Sequence, residues 1–201
     1  TNSTTQVFVW IYKNALIYSD VFNGGNNAGI AGDNTTLPRA IYLKGIVNGN
    51  VYGGCNRGGT MAETFVYCLE GAKVLGNVYG SGFGDTTSVT GDTYVNISSA
   101  LDDGSLSNPL TTISGNVYGG GAAAPVNGNT VVELTQATAQ NVFGGGEGET
   151  ALVGQATNVT LTEASISNDI YGGGDAAPVT KTTTVTASKT KAQNVYGGGR
   201  G

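Results

Sequence analysis

The sequence predicts an all-β fold, a right-handed parallel β-helix (β-solenoid) of about seven coils with mostly 25–30 residues per coil. Three observations predict it. A glycine-rich hexapeptide recurs along the chain, an alternating apolar strand precedes each copy, and the composition is rich in Gly, Thr and Asn with only 11% charged residues.

The hexapeptide first reads Asp20-Val21-Phe22-Asn23-Gly24-Gly25 and then Asn50-Val51-Tyr52-Gly53-Gly54-Cys55. It returns at Asn77-Val78-Tyr79, Asn116-Val117-Tyr118, Asn141-Val142-Phe143, Asp169-Ile170-Tyr171 and Asn194-Val195-Tyr196, each followed by glycine. The central Val or Ile recurs after 30, 27, 39, 25, 28 and 25 residues. Periods of this size are the mark of stacked supersecondary units.

The preceding strand carries two apolar residues two places apart: Val9/Ile11, Ile41/Leu43, Val66/Cys68, Val95/Ile97, Val132/Leu134, Val159/Leu161 and Val185/Ala187. Strict alternation among Val, Ile, Thr and Tyr argues for strand. The coils then span about 7–25, 39–55, 64–82, 93–121, 130–146, 157–174 and 183–199 of a single domain, with a loop insertion at 101–113 that lengthens the fourth. One coil alone exposes its apolar side chains. Stacking coils about 4.8 Å apart buries them and gives a rod of about 30–35 Å. Right-handed winding follows from the usual hand of parallel crossovers. The alternative, hairpins in a sandwich or prism, asks for a two-residue Asn-Gly or Asp-Gly turn in each unit; Asn48-Gly49 and Asn127-Gly128 do not recur in that way.

Stacking converts the hexapeptide into three ladders. The apolar ladder of Val21, Val51, Val78, Val117, Val142, Ile170 and Val195 is expected to face the core. The Asn/Asp ladder is Asp20, Asn50, Asn77, Asn116, Asn141, Asp169 and Asn194, and the aromatic ladder is Phe22, Tyr52, Tyr79, Tyr118, Phe143, Tyr171 and Tyr196. Both flank the apolar position and so share the opposite face. Stacked amides and stacked rings each stabilise such arrays. The expected orientation puts the rings outside as an exposed stripe that serves packing or ligand binding. The other orientation makes them core, with the valines outside or against a second layer.

Chemistry is sparse. The chain has no His, so the commonest general base and metal ligand is missing. Cys55 and Cys68 have no His partner for a thiol nucleophile. They are either two small core residues or one disulfide, if the compartment is oxidising. No cofactor and no bound metal are expected. The only metal candidates are the carboxylates Asp85, Glu147, Glu149 and Asp175, each just after a glycine-rich segment and weak as a calcium set, since hard cations need several oxygens. Thr160/Thr162 and Thr184/Thr186 start a Thr rank of the ice-binding kind, but the positions equivalent to Thr160 are otherwise Trp10, Tyr42, Tyr67, Asn96, Glu133 and Thr186. Asn2, Asn34, Asn96 and Asn158 head glycosylation triplets, which a chain rich in Asn and Thr also produces by chance. Nine scattered Lys and Arg against fourteen Asp and Glu form no phosphate-binding cluster, so no nucleic acid is expected. No apolar run is long enough for a membrane span.

The Asn-Val-Tyr-Gly-Gly-Gly repeats with Thr-rich strands between them resemble the glycine-rich β-helix repeats of large bacterial surface or adhesin-like proteins, from Val7 to Gly199. The resemblance implies an extracellular, cell-surface, non-enzymatic structural or adhesive module. Its partners would be the remainder of a longer chain or copies of itself stacked head to tail as a filament, with surface glycans as ligands of a carbohydrate-binding or carbohydrate-cleaving alternative. No polar cap is evident at either end, and solenoids normally need one.

Overall fold

The computed structural model describes residues 7–30, 39–101 and 103–201, and among them the regular elements are all strands. Asn2 and Asn34 of the glycosylation triplets lie outside the described residues. The strands stack into parallel sheets that wind as a β-solenoid of seven rungs, about six turns from first to last.

The first sheet takes one strand from each rung: Val7–Ile11, Arg39–Leu43, Thr64–Leu69, Thr93–Ser98, Thr130–Thr135, Thr157–Thr162 and Thr183–Ser188. The apolar pairs read from the sequence lie in one register, Val9 on Ile41 on Val66 on Val95 on Val132 on Val159 on Val185. The second sheet is built from two-residue strands at Leu16–Ile17, Ile46–Val47, Lys73–Val74, Thr112–Ile113, Thr138–Ala139 and Ser165–Ile166. The third contains the hexapeptides, Val21–Phe22, Val51–Tyr52, Val78–Tyr79, Val117–Tyr118, Val142–Phe143, Asp169–Tyr171 and Asn194–Tyr196. A fourth is short: Gly59–Met61 pairs with Thr87–Val89, and single bridges carry the line on through Val126, Val153 and Val179. Every strand pair is parallel. The one antiparallel bridge among the described residues, Ala100 with Leu106, joins the insertion to the residue before it, and the parallel pairing everywhere else removes the hairpin alternative.

The inward residues of the first three sheets form one core. Val51, Val78, Val117, Val142 and Ile170 are fully buried in it with Ile41, Val66, Val95, Val132 and Val159. The solvent-facing stripe expected of the hexapeptide rings is not there. Tyr52, Tyr79, Tyr118, Phe143 and Tyr171 are buried on the opposite side of the third sheet, as a second apolar layer. Both sides of these strands are covered because the chain turns back at the glycines and lays the next segment over the rings. Phe83 meets Tyr52 edge-on at 5.9 Å, Ala122 packs in the ring cluster, and the Arg200 guanidinium lies 5.2 Å above Phe143.

A threonine brace holds that corner. Thr64, Thr93, Thr130 and Thr157 are buried at the start of their strands, and their hydroxyls donate to the carbonyls of Gly80, Gly119, Gly144 and Gly172 at 2.5–2.6 Å. Thr183 repeats the bond to Gly197. Gly119 shows why no side chain is tolerated there: an added Cβ would lie 2.2 Å from the Gly144 carbonyl oxygen.

The insertion differs slightly from the expected 101–113, since Thr112 and Ile113 are already a strand of the second sheet. Thr111 closes its base. Its hydroxyl donates to the Ser98 carbonyl at 2.7 Å and accepts from the Gly71 amide at 2.9 Å, while its amide donates to the Ser99 hydroxyl at 2.9 Å.

Candidate functional site

The two ladders singled out from the hexapeptide are real, continuous and structural. Successive rings from Phe22 to Tyr196 stack with centroids 4.6–4.9 Å apart and planes within 12°. That spacing is the rung spacing, so the backbone ladder sets it. Beside the rings runs the Asn/Asp ladder. Asp20 accepts from the Asn50 amide at 2.7 Å, Asn50 from Asn77 and Asn77 from Asn116 at 2.8 Å each, and Asn141 donates its side-chain amide to Asn116 at 2.8 Å. Asp169 and Asn194 continue it. The ladders are cross-linked, since the Asn77 and Asn116 side chains donate to the Tyr79 and Tyr118 hydroxyls at 2.9 and 3.0 Å.

Burial raises the tyrosine pKa values in this column. Tyr52, Tyr79 and Tyr118 are all pushed well above the ordinary value, first by desolvation and then by nearby carboxylates, of which Glu147 acts on all three. Only the inner rungs are sealed, because Phe22 is half-buried and Tyr196 exposed. A ligand therefore cannot reach the column along most of its length.

The calcium candidates are not brought together as a set. Glu147 and Asp175 occupy one register position on successive rungs, whereas Asp85 and Glu149 sit two residues further along and are exposed. The Glu147 carboxylate accepts the Tyr79 hydroxyl, and Asp175 is ion-paired with Arg200. No cluster of three or more metal-ligating side chains occurs among the described residues. Cys55 and Cys68 are not bridged: both are free, buried thiols in separate apolar clusters, Cys55 beside Met61, Val89 and Val126 and Cys68 in the main core. Burial pushes the Cys68 thiol up to about 12.

The exposed aromatic surface lies on the outer face of the first sheet instead. Because Val9 and Ile11 point inward, Phe8 and Trp10 point outward, 39% and 51% exposed, and Tyr12 just beyond the strand is 68% exposed. The same outward positions hold Tyr42 on the second rung, Phe65 and Tyr67 on the third and Tyr94 on the fourth. Trp10 stacks on Tyr42 at 4.2 Å and Tyr42 on Tyr67 at 4.9 Å. Phe8 lies 40° from Tyr42, and Tyr94 lies 47° and 53° from Phe65 and Tyr67, so these tilted rings turn part of a face outward.

The patch ends in a polar group. The Glu133 carboxylate accepts the Tyr94 hydroxyl and the Asn96 amide, the latter at 3.2 Å. Burial, then Glu133, pushes the Tyr94 hydroxyl up to about 12. Beyond Glu133 the outer face turns to Asn158, Thr160, Thr184 and Thr186. Half the sheet face is thus aromatic and half hydroxyl-bearing. Rings that carry polar tips and end at an amide–carboxylate pair offer both apolar contact and hydrogen bonding.

The signal for this face was present in the sequence. Trp10, Tyr42 and Tyr67 are the residues that break the Thr rank, and their aromatic character is itself a rank. No family model matches the chain, and comparison with curated proteins and with solved structures likewise finds no match. The class is therefore defined by the fold: a parallel β-solenoid repeat protein. Among the described residues no helix is long and apolar enough to cross a membrane.

Proposed function

We propose that this chain is a non-enzymatic, extracellular structural and adhesive module, a segment of a surface rod that holds glycans against the aromatic face of its first sheet. The observation that carries the proposal is the outward cluster of exposed Phe8, Trp10 and Tyr12 and half-buried Tyr42, Phe65, Tyr67 and Tyr94 on four successive parallel strands. Contiguous exposed apolar patches mark interaction sites. Tyr and Trp supply large contact area together with a polar handle, which fits flat, hydroxylated sugar rings better than a purely apolar partner. The extracellular placement rests on the likeness of the repeats to those of bacterial surface proteins. The non-enzymatic assignment is supported by the absence of His and by the engagement of Glu147, Asp175 and Glu133 in internal contacts.

Glycan-array binding of the purified chain tests this. Trp10→Ala and Tyr67→Ala should each weaken binding at least tenfold without lowering the thermal midpoint by more than a few degrees. Absence of binding to any glycan, or binding unchanged in both variants, overturns it. A filament of stacked copies is the second reading, favoured by the unbroken parallel register of the rungs, which a rung of a second copy can continue. Electron microscopy of the purified protein decides it, since regular fibres are expected from stacking and single short rods exclude it.

A further inference from the structure

A cleft sits at the end of the aromatic rows, where the first sheet turns into the second. Lys13 follows Tyr12 on the first rung, Lys44 to Ile46 turn the second, and Glu70 and Gly71 turn the third. The insertion of the fourth rung folds back over this corner, and Leu101, Ser107 and Pro109 close a cleft of about 240 Å³. That is below the range for drug-sized ligands and suits one sugar unit. The cleft adjoins the aromatic face, because Tyr12 stacks beside Trp10 at 6.2 Å and 16°.

Two independent features of the cleft call for a ligand. The first is Ser107, which lines it, is 8% exposed, and has a hydroxyl without any hydrogen-bond partner among the described residues. Its neighbours are satisfied: Ser98 accepts from the Ala100 amide, Ser99 from the Thr111 amide, and the Thr111 hydroxyl bonds to Ser98 and Gly71. A buried hydroxyl left unpaired is costly and rare, so its retention needs a reason. The second is charge. Lys44 is committed to an ion pair with Glu70, whereas Lys13 enters no ion pair among the described residues. The cleft therefore offers one uncommitted cation, one fixed ion pair and one unpaired hydroxyl, beside the apolar side chains of Ile46, Leu101 and Pro109.

We propose that this corner cleft binds a carboxylate-bearing sugar, a hexuronate unit, with Lys13 taking the carboxylate and Ser107 a ring hydroxyl. Its apolar edges pack against Ile46 and Leu101. In a longer acidic glycan the neighbouring units then run onto Trp10 and Tyr42, and this extension rests on the adhesive function proposed above. The cleft itself stands without it.

Calorimetric titration of the chain with galacturonic acid, neutral galactose, acetate and an oligogalacturonate separates the possibilities. Galacturonic acid should bind at least tenfold more tightly than galactose or acetate. Lys13→Gln should reduce it to the level of galactose. Ser107→Ala should weaken it several-fold while the thermal midpoint stays or rises, because the substitution removes an unpaired buried hydroxyl; a merely structural serine would lower the midpoint. Trp10→Ala should spare the monosaccharide and weaken only the oligomer. Galacturonic acid bound no better than galactose, or bound equally by Lys13→Gln, overturns the cleft. Monosaccharide binding that obeys these rules with no gain for the oligomer upholds the cleft and overturns the adhesive face.

Discussion

Gly119→Ala places one methyl group between two rungs at the middle of the rod. Its Cβ would stand 2.2 Å from the Gly144 carbonyl oxygen, 2.9 Å from the Thr130 Cβ and 3.0 Å from the Thr130 hydroxyl. None of these is the free end of a flexible side chain. The Gly144 carbonyl is the acceptor of the buried Thr130 hydroxyl, and the Gly119 amide donates to the Phe143 carbonyl at 2.9 Å, so relief of the clash strains both bonds. Overpacking of this kind costs about 1–3 kcal/mol, and loss of a buried hydrogen bond adds about 1 kcal/mol. Reduced freedom of the unfolded chain returns at most about 1 kcal/mol. The net expectation is a loss of about 1–4 kcal/mol, or about 2–16 °C in thermal midpoint for a chain of this size. Gly197→Ala is the matched control, at the same place in the last rung with no heavy atom within 4 Å of the added Cβ. Urea and thermal unfolding followed by circular dichroism should show Gly197→Ala within about 0.5 kcal/mol of the parent. Equal stability of the two variants would refute stacking at this corner.

Other consequences are open to test. Tyr79→Phe removes the hydroxyl that donates to Glu147 and accepts from Asn77, and should cost about 1–3 kcal/mol in urea unfolding. The raised pKa values of Tyr52, Tyr79 and Tyr118 mean that the unfolded chain loses these protons first, so stability should be level below pH ~10 and fall above it, by about 1.4 kcal/mol per pH unit for each tyrosine. Tyrosinate absorbance from these three buried rings should appear together with unfolding at high pH, not ahead of it. Native Cys55 and Cys68 should resist alkylation until the chain unfolds, and reducing agent should leave the thermal midpoint unchanged, since both thiols are free and burial raises their pKa values.

The rungs were legible because side-chain alternation is local and its recurrence needs no knowledge of packing. Val132 and Val159 could be placed on one ladder from spacing alone, and the structure pairs them. The fate of the rings was not legible. Whether Tyr118 faces water depends on what the chain does after Gly121, and that return is fixed by bonds such as Thr130 to Gly144, between residues whose contact no local pattern reports. The second of the two open orientations, rings in the core with the valines against a second layer, allowed for two covered layers, but no local pattern selected it. The outer aromatic face was half legible: Trp10, Tyr42 and Tyr67 were aligned correctly but weighed only as a failed Thr rank. The corner cleft was not legible, because it needs the insertion to fold back two to three rungs onto Lys13 and Lys44.

Vertical registry is tested most directly by disulfide trapping on the outer face of the first sheet, far from the two buried native cysteines. Thr160 lies opposite Thr186 and Asn158 opposite Thr184. Register partners in adjacent strands stand about 4.8 Å apart, within disulfide reach, whereas a diagonal pair two residues off stands roughly 8 Å apart, beyond it. Mild oxidation should therefore cross-link T160C/T186C and N158C/T184C rapidly and within one molecule, and should leave N158C/T186C open. Rapid closure of the diagonal pair with slow closure of both in-register pairs would contradict the stacked-rung structure.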